Sequence, residues 1–197
     1  MTIPNAILSG TPTVGQLELY KNEAAKAYKL SKSAAAEAVA NMYMLWKEAG
    51  SAHASKVARE WLKTELEDFD AAIAAHNKGL PAGSDDREVG LGAIEAVVSF
   101  TQIVKFVFDL KKPSEAPTIS RYAKVLEHVH RNKGALSGLN PNAIETFING
   151  CGGFEAALQE ARAFDCGNTQ AQTTLALAHE LPALLAHSKP LATIAYN

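Results

Sequence analysis

The sequence predicts an all-α protein, with a long N-terminal helical hairpin packed with a bundle of shorter helices around a central apolar helix. Apolar side chains recur at three- and four-residue steps through most of the chain, the signature of amphipathic helices. Gly, Pro, Ser and Asn gather between those runs rather than inside them. The one run with a strand-like composition carries its polar residues in a helical stripe.

From Gln16 to Ala49 the apolar positions Leu17, Tyr20, Ala24, Tyr28, Ala35, Val39, Met42 and Trp46 keep the helical step. One straight helix of that extent would be about 50 Å long at 1.5 Å per residue, so a bend or break is expected near Ser31–Ser33. Gly50 is the expected C-cap and Ser51 the next N-cap. A second run, Val57, Trp61, Leu62, Leu66, Phe69 and Ile73, has the charged face Lys56, Arg59, Glu60, Lys63 and Glu67. The short connection makes the two antiparallel neighbours. The second run ends in the loop GLPAGSDD, beginning at Gly79.

Residues 89–110 include VVSFTQIVKFVFDL, whose β-branched and aromatic content suits a buried strand as well as a helix. Glu95, Ser99, Gln102, Lys105 and Asp109 decide it, because their spacing makes one stripe on a helix and falls on both faces of a strand. This run is the expected central helix. Pro113 and Pro117 end it. Thr118 or Ser120 then caps a helix bearing Ile119, Tyr122, Leu126 and Val129, and Asn140-Pro141 opens a short helix that stops at Gly150–Gly153. A helix over Phe154–Phe164 follows, and a last one, kinked at Pro182, covers Thr173–His187. Residues 1–80 form the hairpin and 89–197 the bundle, as two units or one continuous domain.

With 197 residues the chain can bury a core without staples. Two cysteines, Cys151 and Cys166, and no basic residue ahead of Lys21 suggest a cytoplasmic protein without a secretory leader. No apolar run approaches the roughly 20 residues of a membrane span. A net charge of −2 argues against coating nucleic acid by bulk charge. Only residues 103–134 are basic, with seven Lys and Arg against three Asp and Glu.

The most informative constellation lies there. Arg121, Lys124, His128 and Arg131 recur at three, four and three residues and share one helical stripe, flanked by Lys111, Lys112 and Lys133. Such a stripe is a solvated face, a contact for an acidic protein, or a phosphate-backbone contact. The helix–turn–helix outline of Asn142–Asn149, Gly150–Gly153 and Phe154–Phe164 lacks a basic recognition helix, since Glu155 and Glu160 outweigh Arg162. His128 and His130 stand two apart and point about 200° away from each other, so no metal ligand set is expected from them with Cys151 and Cys166. The cluster Glu65, Glu67, Asp68 and Asp70 reads as a solvated face. Trp46 and Trp61, near Met42, Tyr43 and Met44, are candidates for an interface, with core packing the alternative. No catalytic residue, metal or cofactor is indicated by any motif.

The leading functional expectation is a non-enzymatic interaction or regulatory protein that binds a protein partner through charged helix faces. A nucleic-acid-binding protein using the basic stripe is the alternative, and an enzyme of unrecognised type is the third reading. Homo-oligomerisation through the hairpin would use the tryptophans.

Overall fold

The computed structural model describes residues 12–30, 34–136 and 138–167. Among these every regular element is helical and no strand occurs. The helices are α1 (Val14–Leu30), α2 (Ala35–Leu45), α3 (Lys56–Asn77), α4 (Phe100–Phe108), α5 (Ala116–Arg131), α6 (Pro141–Gly150) and α7 (residues 154–167). The helix expected over Thr173–His187 lies outside the described residues.

The run from Gln16 to Ala49 contains two helices, α1 packs extensively on α2, and the break expected near Ser31–Ser33 lies outside the described residues. The N-terminal hairpin is therefore formed inside that run. Of the eleven residues in α2 only Glu37 escapes burial, and the helix meets α1, α4, α5 and α6. A helix apolar all round can only be stable when enclosed, so α2 shares the central position with α4. In α4, Ile103, Val104, Phe106, Val107 and Phe108 are buried.

Beyond Leu45 the backbone widens into a π turn, Trp46–Gly50. Ser51 does not cap the following helix as expected. Its hydroxyl donates to the Lys47 carbonyl at 2.7 Å, closing the π turn, and Ser55 caps α3 by accepting the Ala58 N–H at 3.2 Å. Gly50 is needed for close approach: a Cβ there would lie 3.1 Å from Trp46 Cδ1 and 3.3 Å from Val98 Cβ. The Gly50 carbonyl in turn accepts the Val98 N–H at 2.9 Å. Helix α3 packs chiefly on this turn and on α1, rather than running antiparallel along α2. Lys21 and Glu65 join α1 to α3 at 2.6 Å.

Residues 89–98 correct the expectation of one helix over 89–110. They are irregular, and the helix begins only at Phe100. The residues that form the polar stripe are the ones that bound it. Ser99 and Gln102 make a capping box, and Asp109 ends α4 in the left-handed region at φ 56°. Gln102 is also buried, and its amide donates to the Ala93 carbonyl at 2.9 Å. Lys105 donates through Nζ to the Gly90 carbonyl. Asp70 accepts the Leu91 N–H at 2.7 Å. Side chains thus supply the hydrogen bonds that a helix would have supplied, and a buried backbone group left without one costs about 1–3 kcal/mol. Glu65 and Asp70, expected on a solvated face, are therefore used to hold the fold.

Two further starts were set by local chemistry. Pro113 opens a 3-10 turn, Pro113–Glu115, and Pro117 sits in the first turn of α5, where its missing N–H is harmless. α5 so begins before Thr118 and Ser120, and neither caps it. Asn140 caps α6 as expected, accepting the Ala143 N–H at 2.9 Å ahead of Pro141.

Trp46 packs in the core. It is 9% exposed, its indole N–H donates to the Val98 carbonyl at 2.8 Å, and its ring meets Phe100 and His130 with centroids 4.6 and 4.9 Å apart. Trp61 is half-buried against the same core.

Candidate functional site

The polar stripe of α5 is formed as its spacing required, but it is not merely solvated, because α7 lies across it. Arg121 pairs with Glu155. Lys124 reaches Asp165 at 2.9 Å and Glu127 at 3.0 Å, and Arg131 reaches Asp165 at 3.1 Å. Hydrogen bonding to Asp165 and Glu127 raises the Lys124 pKa, and the same Lys124 bond leads the causes that lower that of Asp165. Beneath the ion pairs runs a thin apolar seam of Ala157, Leu158 and Ala161, all buried. Phe154 extends it, 4.6 Å from the Tyr122 ring. Burial of Tyr122 pushes its hydroxyl pKa up to about 12. Phe164 is 50% exposed and lies under the Arg131 guanidinium at 4.3 Å.

Of the flanking lysines, Lys111 is engaged elsewhere. Lys111 pairs with Asp109 at 2.7 Å and lies over the Phe69 ring at 5.2 Å. Lys112 is exposed, and its backbone N–H donates to Glu115 at 2.7 Å. Lys133 is exposed at the start of the 3-10 turn Lys133–Ala135.

His128 and His130 diverge, as two residues on one helix must. His130 turns inward to the aromatic cluster of Tyr43, Trp46 and Phe100, with Nδ1 3.2 Å from the Tyr43 hydroxyl. His128 faces α7 instead. It is 7% exposed, with Nε2 3.3 Å from Glu160 Oε2 and its ring against Phe147. That contact is within ion-pair distance but lacks hydrogen-bond geometry, and Nε2 is a buried polar atom without a hydrogen-bond partner. Burial lowers the His128 pKa, Glu160 pulling it back up and Arg131 adding to the fall. The imidazole is therefore neutral near pH 7, and the stripe holds three cations rather than four.

The turn between α6 and α7 brings in a third group. Gly152 and Gly153 adopt φ +99° and +94°, which reverses the chain within four residues and leaves Cys151 as the C-cap of α6. Its side chain is half-buried, and its thiol pKa is raised by burial and by Glu160. No ligand set was expected from His128 and His130 with Cys151 and Cys166, but the fold brings His128, Cys151 and Glu160 together, a grouping that the spacing of the two histidines does not reveal. Two clefts, of about 240 Å³ beside residues 94–98 and about 290 Å³ between α4 and α5, open to solvent, and the second is lined by Thr101, Lys105, Ser120, Lys124 and Glu127 among others.

No protein-family model, curated protein or solved structure matches this chain. Among the described residues no helix is long and apolar enough to cross a membrane.

One pH dependence follows from the two histidines. Burial is the leading cause that lowers both His128 and His130, so each binds a proton more readily when unfolded. Their contribution to stability is present above about pH 6.5, the ordinary histidine value, and is lost as pH falls through the lower folded values. Thermal unfolding at pH 5.5 is expected at a lower midpoint than at pH 7.5. An unchanged midpoint would contradict the burial of both rings.

Proposed function

We propose that this chain is a non-enzymatic interaction and regulatory protein, whose α5 face docks an acidic segment of a protein partner. The observation that carries the reading is the occupant that the face already has. Glu155 and Asp165 of α7 engage Arg121, Lys124 and Arg131 over a narrow apolar seam. An acidic amphipathic helix from another protein would satisfy the same groups, with α7 as its intramolecular competitor. Masking of this kind makes α5 available only when α7 lifts. The free cysteines, Cys151 and Cys166, fit a reducing cytoplasm.

Such competition is measurable. The probe is a labelled peptide with the sequence of residues 154–167, Cys166 replaced by Ser, read by fluorescence anisotropy against the full chain. Glu155→Ala with Asp165→Ala is expected to tighten peptide binding about tenfold, since exposed ion pairs contribute up to about 1 kcal/mol each. Arg121→Glu with Lys124→Glu is expected to abolish it. Peptide affinity indifferent to both pairs would overturn the proposal. Tighter binding of a DNA duplex than of the peptide, falling steeply with salt, would assign the face to nucleic acid instead.

A further inference from the structure

We propose that His128, Cys151 and Glu160 form a binding site for a single zinc-type divalent cation, with water completing the coordination. Among the described residues these three offer one imidazole nitrogen, one sulfur and one carboxylate oxygen within 4.8 Å of one another. A tetrahedral zinc with bonds of about 2.0–2.3 Å sets its ligands roughly 3.3–3.8 Å apart, so His128 Nε2 and Glu160 Oε2, at 3.3 Å, already stand at that separation. Nitrogen, sulfur and oxygen donors together suit zinc better than magnesium or calcium, which take oxygen alone.

The second observation is independent of the clustering. His128 is more than nine-tenths buried, and its Nε2 has no hydrogen-bond partner although it faces the other two groups. Buried polar atoms are almost always satisfied, and a metal ion would satisfy this one. The other ring nitrogen lies 3.5 Å from the Asn132 amide, which itself donates to the His128 carbonyl at 2.9 Å. Nε2 is the ring atom that faces Glu160, and its lone pair can coordinate in the tautomer that carries the ring proton on Nδ1.

The three ligands come from different elements: α5, the C-cap of α6, and α7. Cys151 is brought into range by the two positive-φ glycines that follow it, and Glu160 by the buried Leu158 and Ala161 on either side of it. On binding, the Cys151 S–H bond breaks, sulfur bonds the metal, and the proton leaves to solvent. Glu160 and the new thiolate balance the charge of the cation, while Arg131, tied to Asp165, opposes it from nearby. A bound ion would pin α7 to α5, but the site does not depend on the docking role of that face.

Cobalt and zinc titrations of the full reduced chain test this. Cobalt(II) is expected to bind once per chain, with the intense visible bands of a tetrahedral site and a thiolate-to-cobalt charge-transfer band in the near ultraviolet, and zinc is expected to displace it. Cys151→Ser should remove the charge-transfer band. Cys151→Ser and Glu160→Gln should each weaken zinc binding by more than the roughly 10–100-fold that loss of a supporting hydrogen bond costs a metal site. Both side chains are at least partly exposed, so these variants are expected to fold, which circular dichroism would verify. Cys166→Ser should change neither spectrum nor affinity. Zinc affinity insensitive to Cys151→Ser and Glu160→Gln, or a charge-transfer band that vanishes with Cys166→Ser instead, would overturn the assignment.

Discussion

Trp46→Ala is expected to destabilise the protein by about 3–5 kcal/mol, the usual cost of removing a large aromatic side chain from a packed core. The ring lies between α4 and α5, against Phe100 and His130 as well as Tyr43, so its loss would open a cavity where three helices meet. It would also leave the Val98 carbonyl without its donor. Residues 89–98 have no ladder or helix of their own, and this bond, with that from Val98 N–H to Gly50, holds their end. Trp46→Phe separates the two contributions: it restores most of the volume but not the donor, and is expected to retain a loss of about 1–3 kcal/mol. Urea unfolding followed by circular dichroism measures both. A Trp46→Ala variant as stable as the parent would mean that the ring is not core.

The second large effect is expected at Leu158. Leu→Ala substitutions at buried sites cost about 2–5 kcal/mol, and Leu158 is the largest fully buried side chain of α7. What else holds α7 is small: Ala157 and Ala161 in the seam, Phe154 at one end, and surface ion pairs that contribute up to about 1 kcal/mol each. Leu158→Ala should therefore release α7 locally before it unfolds the remainder. Native-state hydrogen exchange is the suitable readout. Amides of residues 154–167 should lose at least one to two orders of magnitude of protection, about 1.4 kcal/mol per order, while those of α2 and α4 keep theirs. Uniform loss of protection across all helices would show that α7 is integral to the core and unsuited to competing with a partner. The released chain should also bind the acidic peptide more tightly, which connects this stability measurement to the proposed function.

Local chemistry made much of the fold legible. The three- and four-residue steps located the helices because amphipathicity is a property of consecutive residues and needs no partner to be seen. The Asn140-Pro141 start was legible for the same reason: a cap and a fixed φ act within one turn. Residues 89–98 were misread because a polar stripe carries period but not position. Ser99 and Asp109 belong to the stripe of a longer helix and equally to the two ends of a shorter one. The Ser-x-x-Gln pattern of a capping box at Ser99–Gln102 is the signal that would have placed the boundary. Ser51 and Ser55 present a similar choice between two caps, decided by the widening of the helix into a π turn around Trp46.

The candidate site was legible only on one side. Its α5 stripe could be read directly, and so could the divergence of His128 from His130. That Glu155, Glu160 and Asp165 would lie on it could not, because steps of five residues turn them about 140° apart around α7 and only docking brings them to the same neighbour. Cys151 stood among glycines with no ligand pattern near it in sequence. Its approach to His128 depends on how far the chain turns at Gly152 and Gly153, and backbone reversal of that kind leaves no periodic trace.

By itself, then, the sequence determined that the chain is helical, where most helices run, and that α5 carries a row of cations. Those follow from propensities and from interactions within one or two turns. Tertiary structure decided which helix is enclosed, which face is masked, and which three side chains converge beside His128. The reason is that burial and ion pairing are properties of surfaces in contact. Helix α2 is enclosed by α1, α4, α5 and α6, and α4 chiefly by α1 and α5.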